Sequence, residues 1–160
     1  MPTGSPAVSE LLLWRHAEAE DPVPGRVSDP QRALTARGRG QAQTMADWLG
    51  SRLVPAARIL VSPALRTVQT ADALGRPYSL EPRVGLAATP DSLLAAADWP
   101  APGTTLVVGH QPTLGQVLAR LQSLGEDAAL GRCELAWIEH DGIRTRLKLR
   151  FRPQAASPGR

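Results

Sequence analysis

Cysteine is almost missing from this chain, and Cys133 alone cannot form an internal disulfide, which fits a reducing compartment. Long apolar runs are missing too: nothing approaches the roughly 20 residues a membrane span needs. Met1 to Ser9 lacks the basic start and apolar middle of a signal peptide, so the cytoplasm is the expected location. No internal repeat is visible. A chain of 160 residues that is 42% hydrophobic and 21% charged reads as one soluble domain spanning 1–160. Residues 1–9 and 153–160 are expected to be loose tails, and a core of this size buries about 68–70% of the unfolded surface.

The net charge of +3 looks like a nucleic-acid signal until it is located. Arg144, Arg146, Lys148, Arg150 and Arg152 alternate with Ile143, Thr145, Leu147, Leu149 and Phe151. Removing those five charges from +3 leaves −2 on the rest of the chain. Strict alternation is the pattern of a half-buried strand with a solvated basic face, and such a face deters edge-to-edge aggregation. Docking of an acidic protein or nucleic acid is the alternative. Neither nucleic acid nor a membrane is expected as a partner, and the oligomeric state is not readable.

The stretch Leu11 to Glu18, Leu-Leu-Leu-Trp-Arg-His-Ala-Glu, places a short apolar strand directly before Arg15 and His16. In an open α/β sheet the carboxyl end of a strand faces the ligand crevice. A guanidinium beside an imidazole favours the neutral, nucleophilic ring, and itself offers a fork for phosphate oxygens. A polar loop, Ala17 to Ala33, leads to Thr35 as N-cap of a helix buried through Ala42, Met45, Ala46 and Leu49 and closed by Gly50. Arg32, just before that cap, is within reach of the same crevice.

Arg58 to Val61 reads as a second strand, and Ser62-Pro63 as a helix start with serine as N-cap. Arg66 then falls in the first turn, where a cation opposes the helix dipole and is better understood if an anion sits at the helix mouth. Tyr78 to Leu86 suggests a weak third strand, and Thr89-Pro90-Asp91 opens a short helix. Thr104 to Val108 is a β-branched strand ending in Gly109-His110, which repeats the arrangement at His16. A helix through Leu114, Val117, Leu118 and Leu121 follows, then a hairpin, Glu134–Glu139 and Ile143–Phe151, around Asp141-Gly142. Strands alternating with helices predict an α/β fold with a mainly parallel sheet covered on both faces and an antiparallel edge. His140 reads as a hairpin residue, and the four tryptophans as packing.

Arg15-His16-Ala17-Glu18, Leu34-Thr35 with Gly38, Ser62-Pro63-Ala64-Leu65-Arg66-Thr67-Val68-Gln69-Thr70-Ala71, and Gly109-His110, in that order, resemble the histidine phosphatase superfamily. The likeness runs from about Leu11 to Leu121. Its compact length, Arg32-Ala33-Leu34-Thr35 and Gly-His-Gln-Pro are most similar to the small bacterial protein-phosphohistidine phosphatase branch. The resemblance implies a phosphoglycerate-mutase-like three-layer α/β/α sandwich without a cap domain. It also implies catalysis by His16 as nucleophile and by His110, with Arg15, Arg66 and Arg32 binding phosphate. The implied substrate is phosphohistidine on a protein of phosphorelay or phosphocarrier type.

One departure from the larger relatives concerns proton supply. They carry an acidic residue after the third strand, where this chain reads Arg83-Val84-Gly85-Leu86-Ala87-Ala88. An ester must expel an alkoxide and needs a proton donor, whereas a phosphohistidine imidazole takes a proton from solvent on its far nitrogen and leaves neutral. Glu18 or Asp91 is left as a proton donor if one is needed. A metal held by His16, His110 and a carboxylate would be repelled by the flanking arginines, so no metal and no cofactor is expected. A broad phosphomonoesterase for a small metabolite and a non-catalytic phosphate-binding docking module are the alternatives.

Overall fold

The computed structural model describes residues 8–123 and 128–153. Six strands form one sheet: β1 (Ser9–Arg15), β2 (Arg58–Val61), β3 (Ser79–Leu80), β4 (Gly103–Gly109), β5 (Leu135–His140) and β6 (Thr145–Phe151). Their order is β3-β2-β4-β1-β5-β6; the first four are parallel, and β5 and β6 run antiparallel at the C-terminal edge. The mainly parallel sheet with an antiparallel edge hairpin is therefore observed as expected.

Four helices cover it: α1 (Ala36–Gly50), α2 (Leu65–Asp72), α3 (Pro90–Ala96) and α4 (Thr113–Gln122). Strand side chains alternate between two faces. Leu12, Trp14, Ile59, Val61, Leu106 and Val108 pack with Met45 and Leu49 of α1 and Ala71 of α2. Leu11, Leu13, Leu60 and Val107 pack on the other face with Leu93 of α3 and Leu114, Val117 and Leu118 of α4. These are the three layers of an α/β/α sandwich. Because α3 buries Leu93 and Ala96 against the sheet, it is a covering helix and forms no roof over the strand ends. Among the described residues no helix is long and apolar enough to cross a membrane.

Several boundaries differ from the sequence reading, each for a local reason. Ser9 and Glu10 belong to β1, because β4 continues alongside them and pairs Ser9 with Gly103. The 154–160 tail lies outside the described residues, as do 1–7, while Pro153 is buried. Gly50 is the last residue of α1 and Ser51 takes the C-cap place. The third strand shrinks to two residues, since Pro82 opens a 3-10 turn over Pro82–Val84. Helix α2 starts two residues later than Ser62-Pro63 suggests, with Ala64 at the cap position. The basic β6 face is matched by its neighbours: Arg146 pairs with Glu139, Arg150 with Glu134, and Lys148 lies over the Trp137 ring.

The loop after β1 is pinned to the start of α1. Thr35 Oγ1 accepts the Gly38 N–H at 2.9 Å, and the Thr35 N–H donates to the Glu18 carbonyl at 3.0 Å. Gly38 is buried against that same carbonyl, so a Cβ there would run into it. Gly38→Ala should cost about 1–3 kcal/mol of unfolding free energy, as overpacking at a rigid backbone contact does. A urea denaturation midpoint equal to wild type would remove this reading of the contact.

Candidate functional site

Parallel pairing sets Arg15 opposite Gly109 and Val61 opposite Val108. One residue further along these three strands come His16, His110 and Ser62. The His16 N–H donates to the Gly109 carbonyl at 3.2 Å, and the two imidazole centroids are 5.4 Å apart. Arg66, the second residue of α2, is carried to the same place because the Ala17 N–H donates to Thr70 Oγ1 and Thr70 Oγ1 donates to the Arg66 carbonyl. A cavity of about 290 Å³ results, lined by Arg15, His16, Arg32, Arg66 and His110 together with Asp29 and Arg132. That is near the small end for ligand sites.

The protonation of His16 follows from its partner. Its Nδ1 lies 2.7 Å from the Ala17 carbonyl, which can only accept, so Nδ1 carries the proton and Nε2 keeps a lone pair. Burial, with Arg66, Arg15 and Arg32 adding to it, pushes the His16 pKa down to about 4. His110 is pushed down to about 3, chiefly by burial and then by His16 and Arg66. Both rings are therefore neutral at pH 7.

Among the described residues, four buried polar side-chain atoms have no hydrogen-bond partner. Three of them belong to this cavity: Arg15 Nε, Arg66 Nε and His110 Nδ1. Buried polar atoms are nearly always satisfied, so three on converging side chains mark a place built for an acceptor. Other donors of the two arginines are anchored on the protein. Arg15 donates from one Nη to the Leu130 carbonyl at 3.0 Å, and Arg66 donates to the Asp29 carbonyl at 2.7 Å and to its carboxylate at 3.2 Å. The carboxylate of Asp29 is thus the anion paired with Arg66.

Of the expected residues, the structure brings Arg15, His16, Arg32, Arg66 and His110 together and leaves Glu18 out. The Glu18 carboxylate accepts from Thr35 Oγ1 at 3.1 Å and sits 3.6 Å from Arg132, and it does not line the cavity. Its place at the start of α1 is the physical reason. Asp91 is likewise remote, paired with Arg120 on the surface. Leu86 faces the cavity from the segment Arg83 to Ala88, which carries no acidic residue. Among the described residues Asp29 is the only carboxylate lining the cavity; its hydrogen bond to Arg32, with Arg66 close by, holds its pKa below the usual value.

Asp29, Arg132 and the position of Ser62 beside His110 were not read from the sequence. Asp29 carries a weak signal, an acid three residues before Arg32 and followed by Pro30; Arg132 carries none. Ser62 before Pro63 carries the signal of a helix cap, a place that Ala64 holds instead.

The model of the Histidine phosphatase superfamily (branch 1) matches residues 11–86. Phosphohistidine phosphatase SixA of Escherichia coli (strain K12) is 33% identical over 121 residues, 70% of this chain and 73% of that protein. A structure from Agrobacterium tumefaciens designated phosphohistidine phosphatase SixA is 28% identical, covers 91% of this chain and 99% of its own, and superposes with a TM-score of 0.77. A mycobacterial glucosyl-3-phosphoglycerate phosphatase shares the fold at 19% identity and a TM-score of 0.64, covering 89% of this chain and 98% of its own.

The depressed imidazole pKa values have a consequence for pH. The unfolded chain takes up protons on these histidines near pH 6.5 while the folded site refuses them until about pH 4 and 3. The contribution of the two rings to stability is complete above pH 6.5 and falls away as pH drops toward 4. A histidine NMR titration should show both rings neutral at pH 5; a midpoint near 6.5 for either would contradict the packing.

Proposed function

The chain belongs to the histidine phosphatase superfamily, and on that premise we propose that it removes the phosphoryl group from phosphohistidine on a partner protein through a covalent phosphohistidine on His16. One observation carries the reading. An imidazole whose Nε2 lone pair is free stands among three buried, unpartnered polar atoms on Arg15, Arg66 and His110. That is a nucleophile placed beside a receptor for equatorial phosphoryl oxygens.

The His16 Nε2 lone pair forms a bond to phosphorus as the substrate's nitrogen–phosphorus bond breaks. The departing imidazole takes a proton from solvent on its other nitrogen and leaves neutral. His16 keeps its Nδ1 proton, and the Ala17 carbonyl that accepts it stabilises the charge the ring acquires. Water then attacks phosphorus, the bond to Nε2 breaks, and orthophosphate departs with the neutral ring restored. Arg15 and Arg66 hold the oxygens through their Nε–H groups, His110 through its remaining nitrogen, and Arg32 adds charge from the rim. Phosphoryl transfer asks mainly for this positioning and charge stabilisation, and the route as written needs no metal or cofactor.

The proton balance supports a nitrogen–phosphorus bond over an ester. The one carboxylate on the cavity wall among the described residues, Asp29, is kept ionised by Arg32 and Arg66 and is a poor acid, and Leu86 stands where a donor would be useful. An alkyl ester leaving as alkoxide would find no proton there. The open strand ends, without a helical roof, admit a side chain presented by another protein such as a phosphorelay transfer domain or a phosphocarrier.

A turnover screen of phosphohistidine proteins beside aryl and alkyl phosphates, with His16→Ala as control, tests the proposal. Phosphohistidine protein should be hydrolysed far faster than alkyl phosphate, and brief mixing should leave an acid-labile, alkali-stable phosphate on His16. Preference for a small alkyl ester would favour a metabolite phosphatase, and tight binding without label would favour a docking module. Arg66→Ala and His110→Ala should each lose about 10² to 10³ in rate, about 2.7–4 kcal/mol of barrier, by analogy with loss of one oxyanion donor.

A further inference from the structure

Ser62 is not the N-cap of α2, although a serine before proline is well suited to that place. It is wholly buried, Ala64 holds the cap position, and no side chain caps the helix. The hydroxyl meets His110 as well as the backbone before the helix. Ser62 Oγ lies 2.7 Å from His110 Nε2 and accepts the Ala64 N–H at 3.3 Å. The strand register imposes the contact, since the Ser62 N–H donates to the Val108 carbonyl two residues before His110.

Proton counting gives the direction of the Ser62–His110 bond. A serine hydroxyl has one proton and two lone pairs. One lone pair receives the Ala64 N–H, and His110 Nε2 is the one acceptor the hydroxyl proton meets among the described residues. If the ring donated to Ser62 instead, that proton would be stranded in the interior, and His110 Nδ1 would turn a bare lone pair toward any anion. With Ser62 as donor, Nε2 is the acceptor and the neutral ring carries its proton on Nδ1. That nitrogen is buried and has no partner among the described residues.

We propose that Ser62 is a positioning residue: its hydroxyl donates to His110 Nε2, selects the tautomer protonated on Nδ1, and so makes Nδ1–H the group that hydrogen-bonds a phosphoryl oxygen. The proposal rests on the reading of His110 as an oxyanion ligand. It makes His110 a neutral donor, which avoids a third cation packed between Arg15 and Arg66. The two histidines then use opposite nitrogens. The Ala17 carbonyl fixes the proton of His16 on Nδ1 and frees Nε2 as nucleophile, while Ser62 fixes that of His110 on Nδ1 and commits its Nε2.

Nitrogen-15 NMR of the histidine rings tests this, with the three histidines assigned by His16→Asn and His140→Gln. In the wild-type protein His110 should show a protonated Nδ1 and a bare, hydrogen-bonded Nε2. Ser62→Ala should populate the other tautomer of His110, leave that of His16 unchanged, and weaken inhibition by orthovanadate about 10- to 100-fold, the usual scale for loss of an orienting partner. Ser62→Thr, which keeps the hydroxyl, should restore both signals. A wild-type His110 protonated on Nε2 would overturn the proposal without any variant, and so would a Ser62→Ala protein with unaltered tautomer and vanadate affinity. The tautomer is read without turnover, so an inactive protein would count against the proposed function and leave this inference to its own spectrum.

Discussion

The pairing of β1 with β4 is the constraint from which the site follows. Two parallel strands hydrogen-bonded in one register carry whatever follows them to the same point, and here each is followed by a histidine. Arg15 opposite Gly109 leaves no freedom in the matter: a shift of one residue would separate His16 from His110 and turn every core side chain to the wrong face. The apolar strands Leu11–Trp14 and Leu106–Val108, fully buried on both faces, hold that register. Stability and site geometry therefore rest on the same interaction.

Burial then does the chemical work. A pocket that crowds Arg15, Arg32, Arg66 and two imidazoles cannot also protonate the rings, so His16 and His110 stay neutral and available. The same crowding has to be offset, and Asp29 supplies the counter-charge. It takes up the outer donors of Arg66 and a donor of Arg32, leaving Arg66 Nε unspent. A guanidinium held this way is pre-oriented, and less order is lost when an oxyanion arrives. Asp29 thus acts as a clamp, while its low pKa disqualifies it as an acid.

The site was legible in part because histidine phosphatase chemistry leaves marks in local sequence. Arg15-His16, Arg66 and Gly109-His110 each stand at a strand end or helix start, and a cation in the first turn of α2 is odd enough to ask for an anion. The place of the Glu18 side chain is not legible in the same way. Glu18 is close to His16 along the chain, but the loop turns at Ala17 and delivers its carboxylate to Thr35 and Arg132. Ser62 looked like a cap because serine before proline usually is one; its diversion to His110 depends on a neighbour 48 residues away.

What the sequence by itself determined is the set of elements and the side chains they carry: alternating apolar strands and amphipathic helices, the antiparallel hairpin, and histidines and arginines at their ends. Those are written in short-range periodicity and in single residues at fixed offsets. What only the tertiary structure decided is which polar atoms face one another. The order β3-β2-β4-β1 sets Ser62 beside His110, and the folding back of the 17–33 loop sets Asp29 against Arg66. Hydrogen bonds and ion pairs are fixed by distances between remote segments, and no local pattern encodes those distances.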